Sequence, residues 1–419
     1  MPLNYAYAWL RSQRIAKALK NQGLTKPHAN TPIIYIPGIL GTKLFDTQQR
    51  VNIWGSPSTL LAPKTDYAPF ALDERALTAW QDHDQERAQR VIATEQLHAF
   101  SIIPKLVDTL VTSELRSVLH NALDYQEGRD LFFLGHDWRQ DYRLMSVQIE
   151  QQIERIEQRF GKGCPFIFIG QSVANQGIQF WAHQASAERL AQVQRWYSFG
   201  PTWQGTFHAL SMMHEGYYPA SKKFKGFTPA DVASFPSTYQ LLHQKPRVID
   251  AQGKTLAFSF YDVDCWQEYG LGPWHTNLRD HLNVEQLTSY LALAKEFTQT
   301  INSAKEKIAR IPQVWYLGDA NQAVLQAVVL GKRLLSSAAE IRQHAPELQH
   351  LALAKGDDHL PMEDFAEQPN GCFVRDYQNI PYGERYMLVG QAKDHRSLIN
   401  YGRNLKAIAF DIATVRQQN

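Results

Sequence analysis

A short stretch near the middle of the chain places a serine between small residues at the end of an apolar run. Residues 165–169 are wholly apolar, Gly170-Gln-Ser-Val-Ala174 follows, and a helical pattern begins directly afterwards. Strand, sharp turn and helix in this order can raise a serine Oγ above the carboxyl edge of a sheet. The small residues two positions before and after the serine can pack against each other in such a strained turn. Ser172 is therefore the candidate nucleophile.

Carboxylates and a histidine stand just past later apolar segments. Asp357 follows a predicted strand over residues 350–355, and His395 follows a predicted last strand over residues 386–390. The order serine, aspartate, histidine suits a nucleophile, an acid and a base gathered at the carboxyl edge of an open α/β sheet. Asp319 also follows a predicted strand and is a rival for the acid.

An earlier stretch, residues 31–44, could supply the backbone of an oxyanion hole. Its first half is a short, wholly apolar strand that a Pro-Gly pair then stops. One donor of such a hole comes from the loop after an early strand, and the other comes from the residue after the nucleophile. Ile39 or Leu40, together with Val173, are therefore the predicted donors.

Strands alternate with helices around these residues. Residues 130–134 are a predicted strand, and an amphipathic helix capped by Ser146 and closed by Gly161 follows. The strand before Ser172 comes next and completes a βαβ unit. This spacing predicts an α/β fold, with a mostly parallel sheet covered by helices on both faces. A further helix is predicted over residues 101–123.

The chain divides into four predicted segments. Residues 1–30 form an N-terminal helical arm, residues 31–205 the first part of the core, residues 206–310 an inserted cap, and residues 311–419 the second part of the core. The cap is inferred because its segment loses the alternation of strands and helices and gains aromatic residues and turns. Within the first part, the turn-rich residues 45–100 are a candidate lid.

The arm has a helical pattern of its own. Over residues 4–21 the apolar positions include Trp9, Ile15 and Leu19. This spacing predicts a helix that lies with these side chains on the main body.

Composition narrows the class of protein. The chain has 419 residues, of which 44% are hydrophobic and 20% charged, so it has ample material for a globular core. The net charge is only +2 and no run of five like charges occurs, which argues against nucleic acid as a partner. No apolar run approaches the roughly eighteen residues of a membrane-spanning helix.

Cysteine usage and the beginning of the chain suggest a location. The three cysteines have no C-x-x-C spacing, which favours buried free thiols in a reducing compartment. The basic N-terminal stretch lacks the uninterrupted apolar run of a signal peptide, so a cytoplasmic protein is expected. No H-E-x-x-H pattern occurs, and neither a metal nor a cofactor is expected.

Several stretches, in order, resemble the lecithin:cholesterol acyltransferase family, which includes lysosomal phospholipase A2 and phospholipid:diacylglycerol acyltransferase. The matching stretches are residues 32–44, Trp54-Gly55, Asp137-Trp-Arg139, residues 198–205, Phe235-Pro-Ser237, Gly356-Asp-Asp358 and Asp394-His395. The resemblance spans roughly residues 32–400, and its most specific pieces are the first stretch and Asp137-Trp-Arg139. The usual Gly-His-Ser-Leu-Gly of the family is Gly-Gln-Ser-Val-Ala here.

The resemblance implies an α/β-hydrolase fold with an inserted cap, and serine-dependent acyl transfer through an acyl-enzyme. By similarity Ser172 is the nucleophile, His395 the base and Asp357 the acid. Asp357 is preferred to Asp319 because it matches the family motif. Three tryptophans that lie within the matching motifs are expected to contact substrate: Trp54, Trp138 and Trp203.

The nature of the substrate stays open between several hypotheses. A lipid ester is preferred, with transient contact at a membrane surface, and the acyl group could pass to water or to an alcohol. The alternatives are a carboxylesterase for a soluble ester and a catalytically weak binding protein that keeps the hydrolase fold. The sequence does not specify the oligomeric state.

Overall fold

The computed structural model describes residues 3–24, 31–56, 70–72, 90–97, 99–103, 107–110, 112–218, 226–365, 372–374, 386–390 and 394–417. Much of the candidate lid therefore lies outside the described residues.

The strands, in chain order, are β1 (Ile33–Ile36), β2 (Thr42–Asp46), β3 (Val51–Trp54), β4 (Val91–Gln96), β5 (Ala99–Ile103), β6 (Val107–Leu110), β7 (Leu131–Phe133), β8 (Phe166–Gln171), β9 (Val193–Phe199), β10 (Val248–Ile249), β11 (Thr255–Leu256), β12 (Gln313–Gly318), β13 (Asn321–Val324), β14 (Ala327–Leu330), β15 (Arg333–Leu335), β16 (Leu353–Gly356), β17 (Cys372–Val374) and β18 (Tyr386–Gly390).

The α-helices are α1 (Leu3–Asn21), α2 (Ser113–Leu123), α3 (Tyr142–Phe160), α4 (Ala174–Gln184), α5 (Ala187–Ala191), α6 (His208–Glu215), α7 (Pro229–Ala233), α8 (Pro236–Gln240), α9 (Val263–Glu268), α10 (Val284–Ser303), α11 (Lys305–Ile308), α12 (Ala338–His344), α13 (Gln349–Ala352) and α14 (Gly402–Gln417). Short 3₁₀ helices occupy Gly272–Trp274, Pro346–Leu348, Met362–Phe365 and His395–Asn400.

Seven strands form one sheet in the order β17-β18-β12-β9-β8-β1-β7, and every neighbouring pair in it is parallel. The strand before Ser172 and the strands predicted over residues 130–134 and 386–390 all belong to this sheet. Because the seven strands run the same way, their carboxyl ends meet at one edge, where an active site of this type assembles.

Both faces of the sheet are buried, as the wholly apolar strands predicted. Along β1, Ile33 and Tyr35 belong to one core, while Ile34 and Ile36 belong to the other. Helices α1, α2 and α14 contribute to the first core, and α3, α4 and α10 are among the helices of the second. A parallel sheet covered by helices on both faces, with a sharp turn between β8 and α4, is an α/β-hydrolase fold.

Helix α1 packs on the body through a narrower stripe than the sequence predicted. Ser12, Ile15 and Leu19 are buried along one face, at the three-to-four-residue spacing of a helix. Ala8 extends this stripe, and Trp9 lies about 100° around the helix from it. Trp9 is 47% exposed, so its predicted place against the body is wrong.

The helix predicted over residues 101–123 is only partly present. Helix α2 takes up the end of this segment, while β5 and β6 pair as an antiparallel hairpin before it. The sequence has a proline at position 104, and a proline inside a helix removes a backbone N–H and clashes with the preceding turn. The prediction of one continuous helix was therefore wrong.

The N-cap of α3 also differs from the prediction. The helix begins at Tyr142, and its N-cap is Asp141, whose carboxylate accepts a hydrogen bond from the backbone N–H of Arg143. Ser146 lies inside the helix, where its hydroxyl donates to the carbonyl of Arg143. Asp141 takes the cap because its carboxylate can accept from the first turn and also pair with the Arg143 guanidinium.

The strand that precedes Asp357 is not part of the main sheet. Residues 349–352 form α13, and β16 after it pairs antiparallel with β13 as a two-stranded ribbon. Strand β14, which lies beyond residue 310, pairs with β10, so chain on either side of that position shares one small sheet. The division of the chain into core and cap stays a prediction.

Candidate active site

Ser172 sits at a strained turn between β8 and α4. Its φ is 52°, in the left-handed region that residues with a side chain seldom adopt. The backbone N–H of Ser172 donates to the carbonyl of Phe199 at the end of β9, at 2.8 Å. Ala174 is fully buried, which fits the need for a small residue two positions after the nucleophile.

Two amide side chains brace this turn. The Asn175 amide nitrogen donates to the Ser172 carbonyl at 2.9 Å, and its amide oxygen accepts from the Trp196 indole at 3.0 Å. Gln171, where the family usually has histidine, accepts from the Tyr35 hydroxyl at 3.1 Å and so ties the turn to β1. Sequence reasoning missed Asn175, although an amide three residues after a serine is a signal for bonding to the backbone.

The structure brings Ser172, His395 and Asp357 together in a line. The Ser172 Oγ is 2.9 Å from His395 Nε2, and Asp357 Oδ2 is 2.7 Å from His395 Nδ1. All three residues are buried. A carboxylate only accepts, so Nδ1 carries the proton, and Nε2 of the neutral ring accepts from the serine hydroxyl. This arrangement can serve as nucleophile, general base and orienting acid.

Asp357 rather than Asp319 holds the imidazole. The other carboxylate oxygen of Asp357 accepts from the backbone N–H groups of His359 and Leu360, at 3.2 and 2.8 Å. Both oxygens are therefore held, and the acid keeps one orientation although its strand belongs to the antiparallel ribbon. Asp319 lies half-buried just beyond the end of β12.

A cap and a glycine position His395. The residue begins the 3₁₀ helix His395–Asn400, where the Asp394 carboxylate accepts from the backbone N–H of Ser397 at 2.9 Å. Gly200, at the carboxyl end of β9, has a φ of 54°, and a Cβ built there would lie 2.5 Å from His395 Cε1. The imidazole can therefore occupy this place only because position 200 has no side chain.

The loop after β1 lies directly against the nucleophile. A Cβ on Gly38 would be 3.0 Å from the Ser172 Cβ, so the loop approaches closely because it carries a glycine there. The Gly41 N–H donates to the Gly38 carbonyl, and the Trp54 indole donates to the Leu40 carbonyl at 3.0 Å, which fixes the turn.

The predicted oxyanion donors are available in this geometry. Within the described part of the chain, the backbone N–H groups of Ile39, Leu40 and Val173 donate to no protein acceptor. Val173 also stands at the N-terminus of α4, where the helix dipole favours negative charge. Their role as an oxyanion hole stays a prediction.

The three tryptophans predicted to contact substrate are all buried in the core. Trp54 and Trp138 pack edge-on to each other at a ring separation of 5.9 Å. Trp203 packs against Trp196 and Trp315. Of the three, Trp54 has the clearest link to the site, because its indole holds the loop after β1. Direct contact with substrate stays a prediction for each.

Two further histidines lie beside His395. The His359 ring is 4.8 Å from the His395 ring, and the His208 ring stacks on His359 at 4.1 Å. Burial lowers the pKa of His208 to about 4 and the pKa of His359 well below its ordinary value. Both rings are therefore neutral at pH 7 and add no positive charge beside the base. The sequence predicts a structural or pocket-lining role for His359, whereas nothing in it points to His208.

Three carboxylates set the charge around the base. Burial alone would lower the pKa of His395, but Asp357, followed by Asp358 and Asp394, outweighs burial and raises it. The Asp358 carboxylate accepts from the His395 backbone N–H at 3.3 Å. Burial in turn raises the pKa of Asp358 to about 6.

Other features of the described residues bear on the predicted class of protein. No group of three or more His, Cys, Asp or Glu side chains there is arranged to hold a metal ion. Cys164 and Cys265 are free thiols, and both are half-buried rather than buried. None of the helices in the described ranges is both long enough and apolar enough to span a membrane.

Comparisons with known proteins give structural neighbours only. No protein-family model matches the chain, and no curated protein matches it. A chain in the crystal structure of the Tle4–Tli4 complex is similar over 93% of this chain and 99% of its own length, with 13% identity and a TM-score of 0.50. At this identity the likeness concerns the fold alone.

Two solved esterases are similar over most of the chain but superpose less closely. Bacillus licheniformis lipase BlEst2 in its mature form is 11% identical over 90% of this chain and 89% of its own, with a TM-score of 0.34. An acetylester hydrolase from Corynebacterium glutamicum is 12% identical over 93% of this chain and 87% of its own, with a TM-score of 0.31.

Proposed function

We propose that this protein cleaves the ester bond of a lipid through a covalent acyl-enzyme on Ser172. The observation that carries the proposal is the buried line from Ser172 Oγ through the His395 ring to Asp357, with spacings of 2.9 and 2.7 Å. Such a line activates a serine that is a weak nucleophile on its own. The resemblance of its motifs to a family of lipid acyltransferases and phospholipases favours a lipid ester over other esters.

The first step forms the acyl-enzyme. Ser172 Oγ attacks the ester carbonyl while His395 Nε2 takes its proton, and Asp357 holds the ring and stabilises the imidazolium. The negative charge of the tetrahedral intermediate lies on the former carbonyl oxygen, which the N–H groups of Val173 and of Ile39 or Leu40 stabilise. Each such donor contributes about 3 kcal/mol to lowering the barrier. The imidazolium then gives its proton to the leaving alcohol.

The second step releases the acyl group. His395, neutral again, takes a proton from an incoming water or alcohol, whose oxygen attacks the acyl-serine. Water gives a free fatty acid, and an alcohol gives a new ester. The outcome depends on how well the closed site excludes water and binds an acceptor. We favour water, because that reaction needs only the groups already described.

The charge around His395 predicts the acid limb of the pH profile. The free enzyme needs a neutral His395, so kcat/KM should rise with pH through an apparent pKa above the ordinary histidine value of about 6.5. Removal of the Asp358 charge in Asp358→Asn weakens the stabilisation of the imidazolium, which should move this limb to lower pH. The measurement is kcat/KM against pH, with Asp280→Asn as a control because Asp280 is highly exposed. A limb that moves to higher pH in Asp358→Asn, or not at all, would contradict the assignment.

The products formed from mixed lipid esters test the proposed function. The protein should be incubated with phospholipid and acylglycerol vesicles, with and without a long-chain alcohol, and the products should be identified by mass spectrometry. We expect free fatty acid that appears with the native protein and not with Ser172→Ala. A new ester as the main product would place the protein among acyltransferases instead.

A soluble ester separates the remaining alternative. Hydrolysis of a short-chain ester should be compared with hydrolysis of a long-chain ester below and above the concentration at which the latter forms aggregates. A lipid-directed enzyme is expected to prefer the aggregated substrate. Equal turnover of dissolved and aggregated ester would favour a carboxylesterase for a soluble metabolite.

A further inference from the structure

The first half of α1 carries an exposed apolar cluster. Tyr7, Trp9 and Leu10 are 52%, 47% and 47% exposed. The hydroxyl of Tyr7 accepts from the Arg11 guanidinium, which also lies over the Tyr7 ring at 4.6 Å. The cluster is thus held in place on a helix. Tyrosine and tryptophan combine an apolar ring with a polar atom, which suits them to the boundary between water and lipid.

The second half of the same helix is basic. Arg14, Lys17 and Lys20 are exposed, and α1 contains no acidic residue. Tyr7, Leu10, Arg14 and Lys17 recur at intervals of three and four residues, so they line one face of the helix. An outward face with aromatic and aliphatic side chains beside unopposed cations matches the surface of an anionic bilayer.

Helix α1 is joined directly to the turn that carries the base. The Arg11 guanidinium donates to the carbonyl of Asn400 at 2.9 Å and pairs with Glu114 on α2. Asn400 ends the 3₁₀ helix that begins with His395. The exposed cluster therefore lies within one helical turn of a residue that contacts the base-bearing segment. A bilayer held against this cluster would lie close to the candidate active site.

We propose that the outer face of α1, formed by Tyr7, Trp9, Leu10, Arg14, Lys17 and Lys20, is a docking surface for an anionic lipid bilayer. The apolar side chains enter the boundary between headgroups and acyl chains, and the basic side chains contact lipid phosphates. The use of this surface to reach substrate depends on the proposed function, whereas the docking itself does not require turnover.

Co-sedimentation with vesicles tests the docking. The full chain with Ser172→Ala, which leaves lipid intact, is mixed with vesicles of phosphatidylcholine and phosphatidylglycerol or of phosphatidylcholine alone. We expect partitioning onto the anionic vesicles to be at least about tenfold stronger, and to weaken as salt is added. Equal partitioning onto both kinds of vesicle, or none onto either, would overturn the proposal.

Two sets of substitutions assign the binding to α1. Trp9→Ser/Leu10→Ser removes apolar side chains, and Arg14→Gln/Lys17→Gln/Lys20→Gln removes three positive charges. Each set should weaken partitioning onto anionic vesicles by about tenfold or more. If these variants bind vesicles as tightly as their parent, the docking surface is elsewhere.

Matched substitutions at other exposed positions serve as controls. Val284→Ser/Leu351→Ser removes two apolar side chains that are exposed elsewhere, and should leave partitioning unchanged. Lys254→Gln/Lys295→Gln/Lys332→Gln removes the same charge from other exposed positions and should also have little effect. A loss in these controls as large as the loss in the α1 variants would also overturn the proposal.

The remaining outcomes are also decisive. Thermal unfolding of each variant checks that the exposed substitutions leave the fold intact. A dimer that Trp9→Ser/Leu10→Ser dissociates, without vesicle binding by the parent, would make this face a contact between copies of the chain. Ester turnover without vesicle binding overturns the docking alone, and vesicle binding without turnover overturns the proposed function alone.

Discussion

Replacement of Ser172 by alanine should lower ester turnover by at least about 10⁴-fold, the largest effect expected of any single change. The variant has no oxygen to form the acyl-enzyme, so only the oxyanion donors and substrate binding are left to assist water. The alanine side chain would keep the buried contacts around the turn, and the unfolding temperature should change little. The measurement is kcat on a short-chain ester that reports each cleavage directly.

A second serine serves as the control for this change. Ser211 is half-buried on α6, where its hydroxyl bonds with that of Ser336. Ser211→Ala removes one hydroxyl from the protein and should leave kcat within about twofold, since it touches none of the groups in the proposed reaction. If Ser172→Ala keeps most of the turnover, the acyl-enzyme mechanism is wrong.

Replacement of Asp357 by asparagine should have the second largest effect, a loss of about 10³- to 10⁴-fold in kcat. An amide nitrogen turned towards His395 Nδ1 would favour the tautomer with the proton on Nε2, which cannot accept from the Ser172 hydroxyl. The fold should tolerate the change, because asparagine has nearly the same shape as aspartate. Steady-state kinetics at the pH optimum measures the loss.

The rival acid gives a matched comparison. Asp319→Asn makes the same chemical change at a half-buried position just past β12. We expect its kcat to stay within a few-fold of the native value, because both ring nitrogens of His395 are hydrogen-bonded to other side chains. A large loss in Asp319→Asn together with a small loss in Asp357→Asn would reverse the assignment of the acid.

The turn at Ser172 was predictable because its signal is local. An apolar strand, a small residue, a serine and a helix lie within one short stretch, and the backbone strain at Ser172 follows from that order. The positions of Asp357 and His395 could be predicted because parallel strands end at a common edge. Their chain order then limited which residue could take which role.

The path of the chain to Asp357 could not be predicted in the same way. Its strand was expected to join the main sheet, but it pairs with β13 in a separate ribbon. Pairing between strands depends on contacts between distant parts of the chain, which the pattern of one strand does not specify. The sequence therefore indicated the right residue from a strand assigned to the wrong sheet.

The supporting residues were the hardest to find. Gly200 is needed because the His395 ring approaches it from a segment nearly two hundred residues later. His208 stacks on His359 across a similar gap in the sequence. Contacts of this kind leave no periodic pattern in either segment, so only the folded structure identifies them.

The altered sequence around Ser172 fits the site without distorting it. Ala174 is small enough to be fully buried beneath the turn, and Gln171 has a hydrogen-bond partner in Tyr35. The two departures from the family motif are therefore compatible with a nucleophile that is held in place. Their geometry favours an active enzyme over a binding protein that has lost its activity.

Covalent labelling by a fluorophosphonate tests the central claim most directly. The reagent reacts with a serine only when a base activates it, so the native protein should gain one adduct, which peptide mapping should place on Ser172. Ser172→Ala should gain none, and His395→Ala should react far more slowly. Folded native protein that gains no adduct, or gains it at another residue, would contradict the assignment of Ser172 as an activated nucleophile.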